Sequence, residues 1–330
     1  MIRSLFARGP GKEFDMSPKA IKKYLDKHIE GQEEAKIAAA VMMYNHMRGI
    51  KENGIFVGPS GCGKTEIFRV LADLFPGTIY IYDASSITND GWSGTKKFNS
   101  VFYELYEMGY EQAQIEKMLI VFDEFDKLCT PIYSSQGENV HASIQNEFLT
   151  MIEGSIVPIN KENEYPPVHT SKISFAFCGA FEDLFQKRRQ EKKKIGTIGF
   201  SAGNDQDPDR PITMEELVKY GMRTEFAGRI HTLVELFALN REQVRNLLLD
   251  PVKSPFVKLA EMYKCDIMPK KEFIEELIDA SQDDLRGVRA LNSMIRAEIN
   301  KEIFASGRSD KLSIELWEGK FEKKYCFTHK

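Results

Sequence analysis

Cysteine is sparse: Cys62, Cys129, Cys178, Cys265 and Cys326 are scattered through 330 residues with no CxxC pair. That spacing excludes a disulfide-stapled scaffold and predicts reduced thiols in a cytoplasmic compartment. The six histidines form no HExxH or comparable ligand spacing, so no structural zinc site is expected. No apolar run approaches the ~20 residues of a membrane span. The opening MIRSLFARGPGKEFD lacks the apolar core of a secretion signal. An excess of one charge is missing too. Lys and Arg number 45 against 49 Asp and Glu, and a net charge of -4 gives no global preference for nucleic acid or an anionic membrane. No internal repeat is visible.

What remains is ordinary globular composition, 42% apolar and 28% charged, over a length that predicts two domains. The chain is organised around residues 54–74. Ile55-Phe56-Val57 reads as a buried parallel strand, and Ile67, Val70, Leu71 and Leu74 recur at helical spacing. Between them Gly58-Pro59-Ser60-Gly61-Cys62-Gly63-Lys64-Thr65 fits the phosphate-loop pattern. Glycines let backbone N–H groups turn inward around phosphates, and the helix N-terminus adds partial positive charge. Lys64 would reach the β- and γ-phosphates, and the Thr65 hydroxyl would ligate Mg²⁺. These residues predict a nucleoside triphosphate site for ATP and Mg²⁺.

Further along, residues 78–82, 118–122, 173–177 and 231–236 read as strands, alternating with helical patterns at 33–47, 98–105 and 144–152. This alternation predicts an α/β fold, a parallel sheet flanked by helices. Thr213 and Glu216 have the spacing of a capping box. Residues 155–171 and 186–212 read as long polar interruptions, the second opening on KRRQEKKK, taken as a solvated loop. After residue 239 the pattern turns helical, with a short strand around Leu312, Ile314 and Leu316. The expected organisation is a flexible segment 1–15, a large α/β ATPase domain 16–239 and a small, mainly helical domain 240–330. The acidic pair Asp123-Glu124 ends a buried strand one βαβα unit after the phosphate loop. Asp123 would hold Mg²⁺, and Glu124 would orient and deprotonate the attacking water, which favours hydrolysis over transfer to an acceptor.

With these motifs in their order, the chain resembles the AAA+ ATPases, and among them the ClpX/HslU branch of unfoldases, over about residues 16–305. GQEEAKIAAAVMMYNH, FDEFDKL, GENVHASIQNEFLTMIEG, TSKISFAFCGAF, YGMRTEFAGRI and LRGVRALNSMI resemble successive family segments. The resemblance implies that Arg229 is an arginine finger inserted into a neighbouring subunit's site, although an arginine there could also form a surface ion pair. It implies Arg286 as sensor 2, with Arg289 the weaker candidate, and His28 and Ile29 as the adenine contacts. The sensor-1 role stays open, Cys178 being the nearest residue and a poor hydrogen-bond donor.

Trp92 in Gly91-Trp92-Ser93-Gly94 stands where the family carries a Gly-aromatic-Val-Gly channel loop. An aromatic flanked by glycines in a polar stretch is hard to bury and easy to move, a paddle able to grip any polypeptide. The alternative is a tryptophan covering its own domain. Residues 134–140 would supply a second, polar channel loop. Ile198-Gly199-Phe200 falls where the family docks on a ClpP-like peptidase, and two large apolar residues in a polar insertion suit a partner's pocket. The family's zinc-binding N-terminal domain has no counterpart in residues 1–15, nor its Arg-Lys-His loop in 155–171. The resemblance thus implies a homo-oligomer, a hexameric ring, that unfolds polypeptide substrates for a peptidase partner and has no peptidase signature of its own. No membrane or nucleic-acid partner is expected. The alternatives are a remodelling chaperone without a peptidase, a nucleic-acid-acting AAA+ ATPase using the lysine-rich insertion, and a scaffold that binds ATP without turnover.

Overall fold

In the chain as a computed structural model, residues 16–87, 99–134, 137–159, 165–195, 210–264, 266–267, 269–283, 287–306 and 313–314 are described. Ser17 caps α1 (Pro18–Asp26), its hydroxyl accepting from the Ala20 N–H, and α2 (Glu33–Met47) returns beside it. The first strand β1 (Asn53–Val57) leads through the phosphate-loop residues into α3 (Lys64–Leu74). Then follow β2 (Ile79–Asp83), α4 (Ser100–Glu107), the single turn α5 (Gln112–Ile115), β3 (Leu119–Asp123) and α6 (Val140–Glu153). A two-residue ribbon, β4 (Ile156–Val157) with β5 (Val168–His169), precedes β6 (Ser174–Gly179) and α7 (Glu182–Ile195). The elements α8 (Met214–Tyr220), α9 (Thr224–Ala227) and β7 (Thr232–Glu235) complete this part.

Five strands form one parallel sheet in the order β2-β3-β6-β1-β7. Alternating side chains bury both faces. Ile55, Val57, Phe122, Phe175 and Phe177 pack on one side with Phe148 of α6. Phe56, Val121, Ala176 and Cys178 pack on the other with α1, α2 and α3. Burial on both faces explains why the strands read as continuous apolar runs. Because β6 lies between β1 and β3, the loops leaving those two strands flank a crevice at the carboxyl end of the sheet, where open α/β sheets bind ligands.

Beyond β7 the chain builds α10 (Arg241–Leu249), α11 (Pro255–Tyr263), α12 (Lys271–Asp283) and α13 (Val288–Ser306). These helices share their own core of Val244, Leu248, Phe256, Leu277, Leu291 and Ile295. A parallel pair, β8 (Asp266–Ile267) with β9 (Ser313–Ile314), contains the strand expected near Ile314.

The basic run KRRQEKKK departs from expectation: it continues α7 as helix rather than opening a loop. Lys, Arg, Gln and Glu are all good helix formers, and Arg188, nearly buried between Glu216 of α8 and Glu235 of β7 at 3.9 and 3.5 Å, anchors the helix to the sheet. The Thr213–Glu216 capping box forms as the sequence predicts, with both reciprocal bonds present. Thr213→Ala is expected to cost about 1 kcal/mol, read as a thermal midpoint lowered by roughly 2–4 °C. Among the described residues no helix is long and apolar enough to cross a membrane, and no cluster of three or more His, Cys, Asp and Glu could hold a metal.

Candidate nucleotide site

The loop after β1 is shaped by two glycines above all. A Cβ on Gly58 would lie 2.4 Å from the Leu236 carbonyl oxygen, so the loop can pass beside β7 only without a side chain. Gly63 caps α3 at φ 102°, with open space where a Cβ would point. Helix α3 therefore begins at Lys64 with its N-terminus facing a cavity of about 400 Å³. The Lys64 ammonium is nearly buried and donates to the carbonyl oxygens of Gly58 and Pro59 at 2.7 and 2.9 Å. Ser60, Gly61, Cys62, Gly63, Lys64 and Thr65 all line the cavity. Burial pushes the Cys62 thiol above its ordinary pKa, so this cysteine stays protonated and acts as a small apolar residue.

Opposite stand the acidic residues that leave β3. The Thr65 hydroxyl donates to Asp123 Oδ2 at 2.7 Å, which brings the two expected metal ligands together. Asp123 Oδ1 accepts the Glu124 N–H at 3.0 Å. Glu124 is left-handed, φ 56°, with its carboxylate exposed at the cavity. A non-glycine residue held there costs of order 1 kcal/mol, a form of strain that clusters at functional sites. Sequence reasoning also missed Asp126. It is buried, lines the cavity, and accepts the Phe181 N–H at 3.3 Å, fixing the turn after β6. Its signal was the last acidic residue of FDEFD. At that turn Gly179 and Ala180 face the cavity, while Cys178 is wholly buried in the sheet core. Burial holds its thiol far above its ordinary range.

The far end of the cavity is less polar and comes from both parts of the chain. His28 and Ile29 line it from the α1–α2 loop, Leu239, Leu247 and Val288 from the helical part. Burial lowers the His28 pKa, so its ring is neutral at neutral pH. Three polar contacts tie the helical part down: Lys253 to Glu30 and Lys258 to Glu66, each at 2.7 Å, and the Arg289 guanidinium donating to Ser60 Oγ at 3.3 Å. Arg289, the weaker sensor-2 candidate, thus reaches the phosphate loop, whereas Arg286 lies outside the described residues. So do Trp92 and Ile198-Gly199-Phe200. Arg229 lies apart from the cavity lining, paired with Glu153 at 2.7 Å.

These residues suit a nucleoside triphosphate. Helix-terminal N–H groups and Lys64 would meet anionic oxygens, and the His28, Ile29 and Leu247 end would meet a base. A divalent cation would sit with Thr65 and Asp123, whose hard oxygens suit it. With so few protein ligands it would rely on substrate phosphates and water, as Mg²⁺ sites do.

Fold and site together define a phosphate-loop ATPase with a second, helical lobe on its nucleotide cleft. Residues 51–233 match the AAA domain family, Cdc48 subfamily, and the chain belongs to that family. It is also ClpX-like. It is 28% identical to ATP-dependent Clp protease ATP-binding subunit ClpX 2 of Wolinella succinogenes, over 84% of this chain and 75% of that protein. The ClpX of Borrelia duttonii is 28% identical, over 87% and 73%. That of Porphyromonas gingivalis is 26% identical, over 90% and 80%.

Proposed function

We propose that this chain is one subunit of a cytoplasmic homohexameric ring that uses ATP hydrolysis to unfold polypeptides and thread them towards a ClpP-like peptidase. Residues 16–239 would form the ATPase domain and residues 240–330 the small domain that closes over the nucleotide. Lys64 and the backbone N–H groups of residues 60–65 hold the phosphates, and His28 and Ile29 hold the adenine. Thr65 and Asp123 hold Mg²⁺, which when bound neutralises charge on the phosphates. Glu124 takes the proton of the attacking water. Arg286 and Arg229 bring positive charge from the helical lobe and from the neighbouring subunit respectively. Trp92 grips substrate in the channel, and Ile198-Gly199-Phe200 dock on the peptidase.

The observation that carries this reading is the position of Arg229. It is more than half exposed, and it lies outside a cavity whose acidic and phosphate-binding groups are already gathered. A finger held away from its own site serves a neighbour's, and an ATPase built that way works as a ring. The names of the relatives, ATP-binding subunits of a Clp protease, supply the class of client.

The test is steady-state ATP turnover with and without an unstructured model polypeptide, comparing the native chain with Trp92→Ala. Polypeptide should accelerate the native chain, and the variant should keep its basal rate but lose the acceleration. A native chain indifferent to polypeptide would leave an ATPase without the proposed client.

A further inference from the structure

Gln32 occupies the junction of three parts of the molecule. Its backbone is left-handed, φ 58° and ψ 42°, a conformation for which glutamine has no special tolerance. It begins α2 without any side-chain cap on that helix. Its carboxamide instead reaches outward. Nε2 donates to the Cys62 carbonyl oxygen in the phosphate loop at 3.1 Å and to the Phe237 carbonyl oxygen at 2.6 Å. Oε1 accepts the Phe237 N–H at 3.2 Å. The partners fix the amide orientation, because a backbone N–H can only donate and a backbone carbonyl can only accept. Phe237 lies between the end of β7 and the start of α10, in the stretch that joins the sheet to the helical lobe.

The Cys62–Gly63 peptide gives this contact a chemical meaning. In a trans peptide the C=O and N–H point in opposite directions, and no cis bond occurs among the described residues. A carbonyl held by Gln32 therefore aims the Gly63 N–H away from Gln32, and Gly63 lines the cavity whereas Gln32 does not. Glu30, two residues earlier in the same loop, is paired with Lys253 of the helical lobe, both side chains being largely buried.

We propose that Gln32 is a positioning residue: it pre-orients the Gly63 N–H for a phosphate oxygen and passes the state of the phosphate loop to the Phe237 segment that joins the lobes. When a phosphate fixes that peptide plane, the Gln32 carboxamide is fixed with it, and Phe237 is held from both its N–H and its C=O. This rests on the reading that the cavity binds nucleotide, and the experiment separates the two.

The measurement is amide hydrogen exchange on the full chain, with and without saturating ADP, for the native protein, Gln32→Gly and Gln32→Glu. Glycine suits the left-handed backbone, so Gln32→Gly removes the carboxamide without adding backbone strain. Glutamate keeps an acceptor for the Phe237 N–H and loses both donations. In the native chain ADP should slow exchange about tenfold in residues 58–65 and in residues 236–240. In both variants slowing should persist at 58–65, at higher ADP concentration, and vanish at 236–240. A thermal midpoint close to native in at least one variant sets aside a purely structural role. If either variant retains native ADP-dependent slowing at 236–240, Gln32 does not carry the coupling. No slowing anywhere in the native chain would overturn the nucleotide site itself, and Gln32's role with it.

Discussion

Glu124→Gln is expected to lower ATP turnover by about 10²–10⁴-fold, the usual contribution of a positioned proton acceptor, while nucleotide affinity stays near native. The geometry separates the two effects. Phosphate binding is proposed for residues 58–65, and the Thr65–Asp123 contact at 2.7 Å does not involve Glu124. The Glu124 carboxylate is exposed in the cavity, so replacing one oxygen by an amide nitrogen neither empties packed space nor strands a buried charge. Glutamine also has no less tolerance than glutamate for the left-handed backbone at φ 56°. What the amide cannot do is accept a proton from water. Phosphate release at saturating ATP, beside equilibrium binding of a fluorescent nucleotide, checks both halves. If turnover survives, the acceptor is elsewhere, and Asp126 is another carboxylate lining the cavity.

Much of this site was legible because its chemistry is local. The step from β1 through Gly58 and Gly63 into α3 is written in consecutive residues, and so is the acidic end of β3. The span of α2, 33–47, was readable from its run of good helix formers, and the Thr213–Glu216 box from its spacing, since propensity and capping depend on near neighbours. Where distant residues decide, the sequence was silent or misleading. Nothing in KRRQEKKK announces that Arg188 will be held between Glu216 and Glu235, although its Lys, Arg, Gln and Glu are all good helix formers. The insertion of β6 between β1 and β3, which opens the crevice, is a property of topology rather than of any strand's composition. The left-handed backbones of Gln32 and Glu124 were invisible because neither residue type favours that region. The reach of Arg289 to Ser60 was equally unreadable, because it depends on how closely α13 approaches the phosphate loop.

Arg229→Ala is expected to reduce turnover by about 10³–10⁵-fold, the range of an arginine finger, although the residue lies outside its own chain's cavity. The competing account is the ion pair with Glu153 at 2.7 Å. That pair is 57% and 43% exposed, and surface pairs of this kind contribute about 0–1 kcal/mol. Glu153→Ala should therefore leave turnover within a few-fold of native, whereas loss of a mechanistic arginine should not be mimicked by loss of its surface partner. Mixing supplies the sharper comparison. Glu124→Gln subunits retain Arg229, and Arg229→Ala subunits retain Glu124, so each alone lacks one half of every site. In a mixed ring, an interface with Glu124 on one side and Arg229 on the other is whole again, and turnover should reappear with the mixing ratio. An arginine acting within its own subunit predicts that the mixture stays as inactive as its parts, and one that is only half of an ion pair predicts an Arg229→Ala chain that is active before any mixing. Recovery therefore requires that positive charge cross a subunit boundary, the condition under which hydrolysis in one subunit depends on the presence of the next.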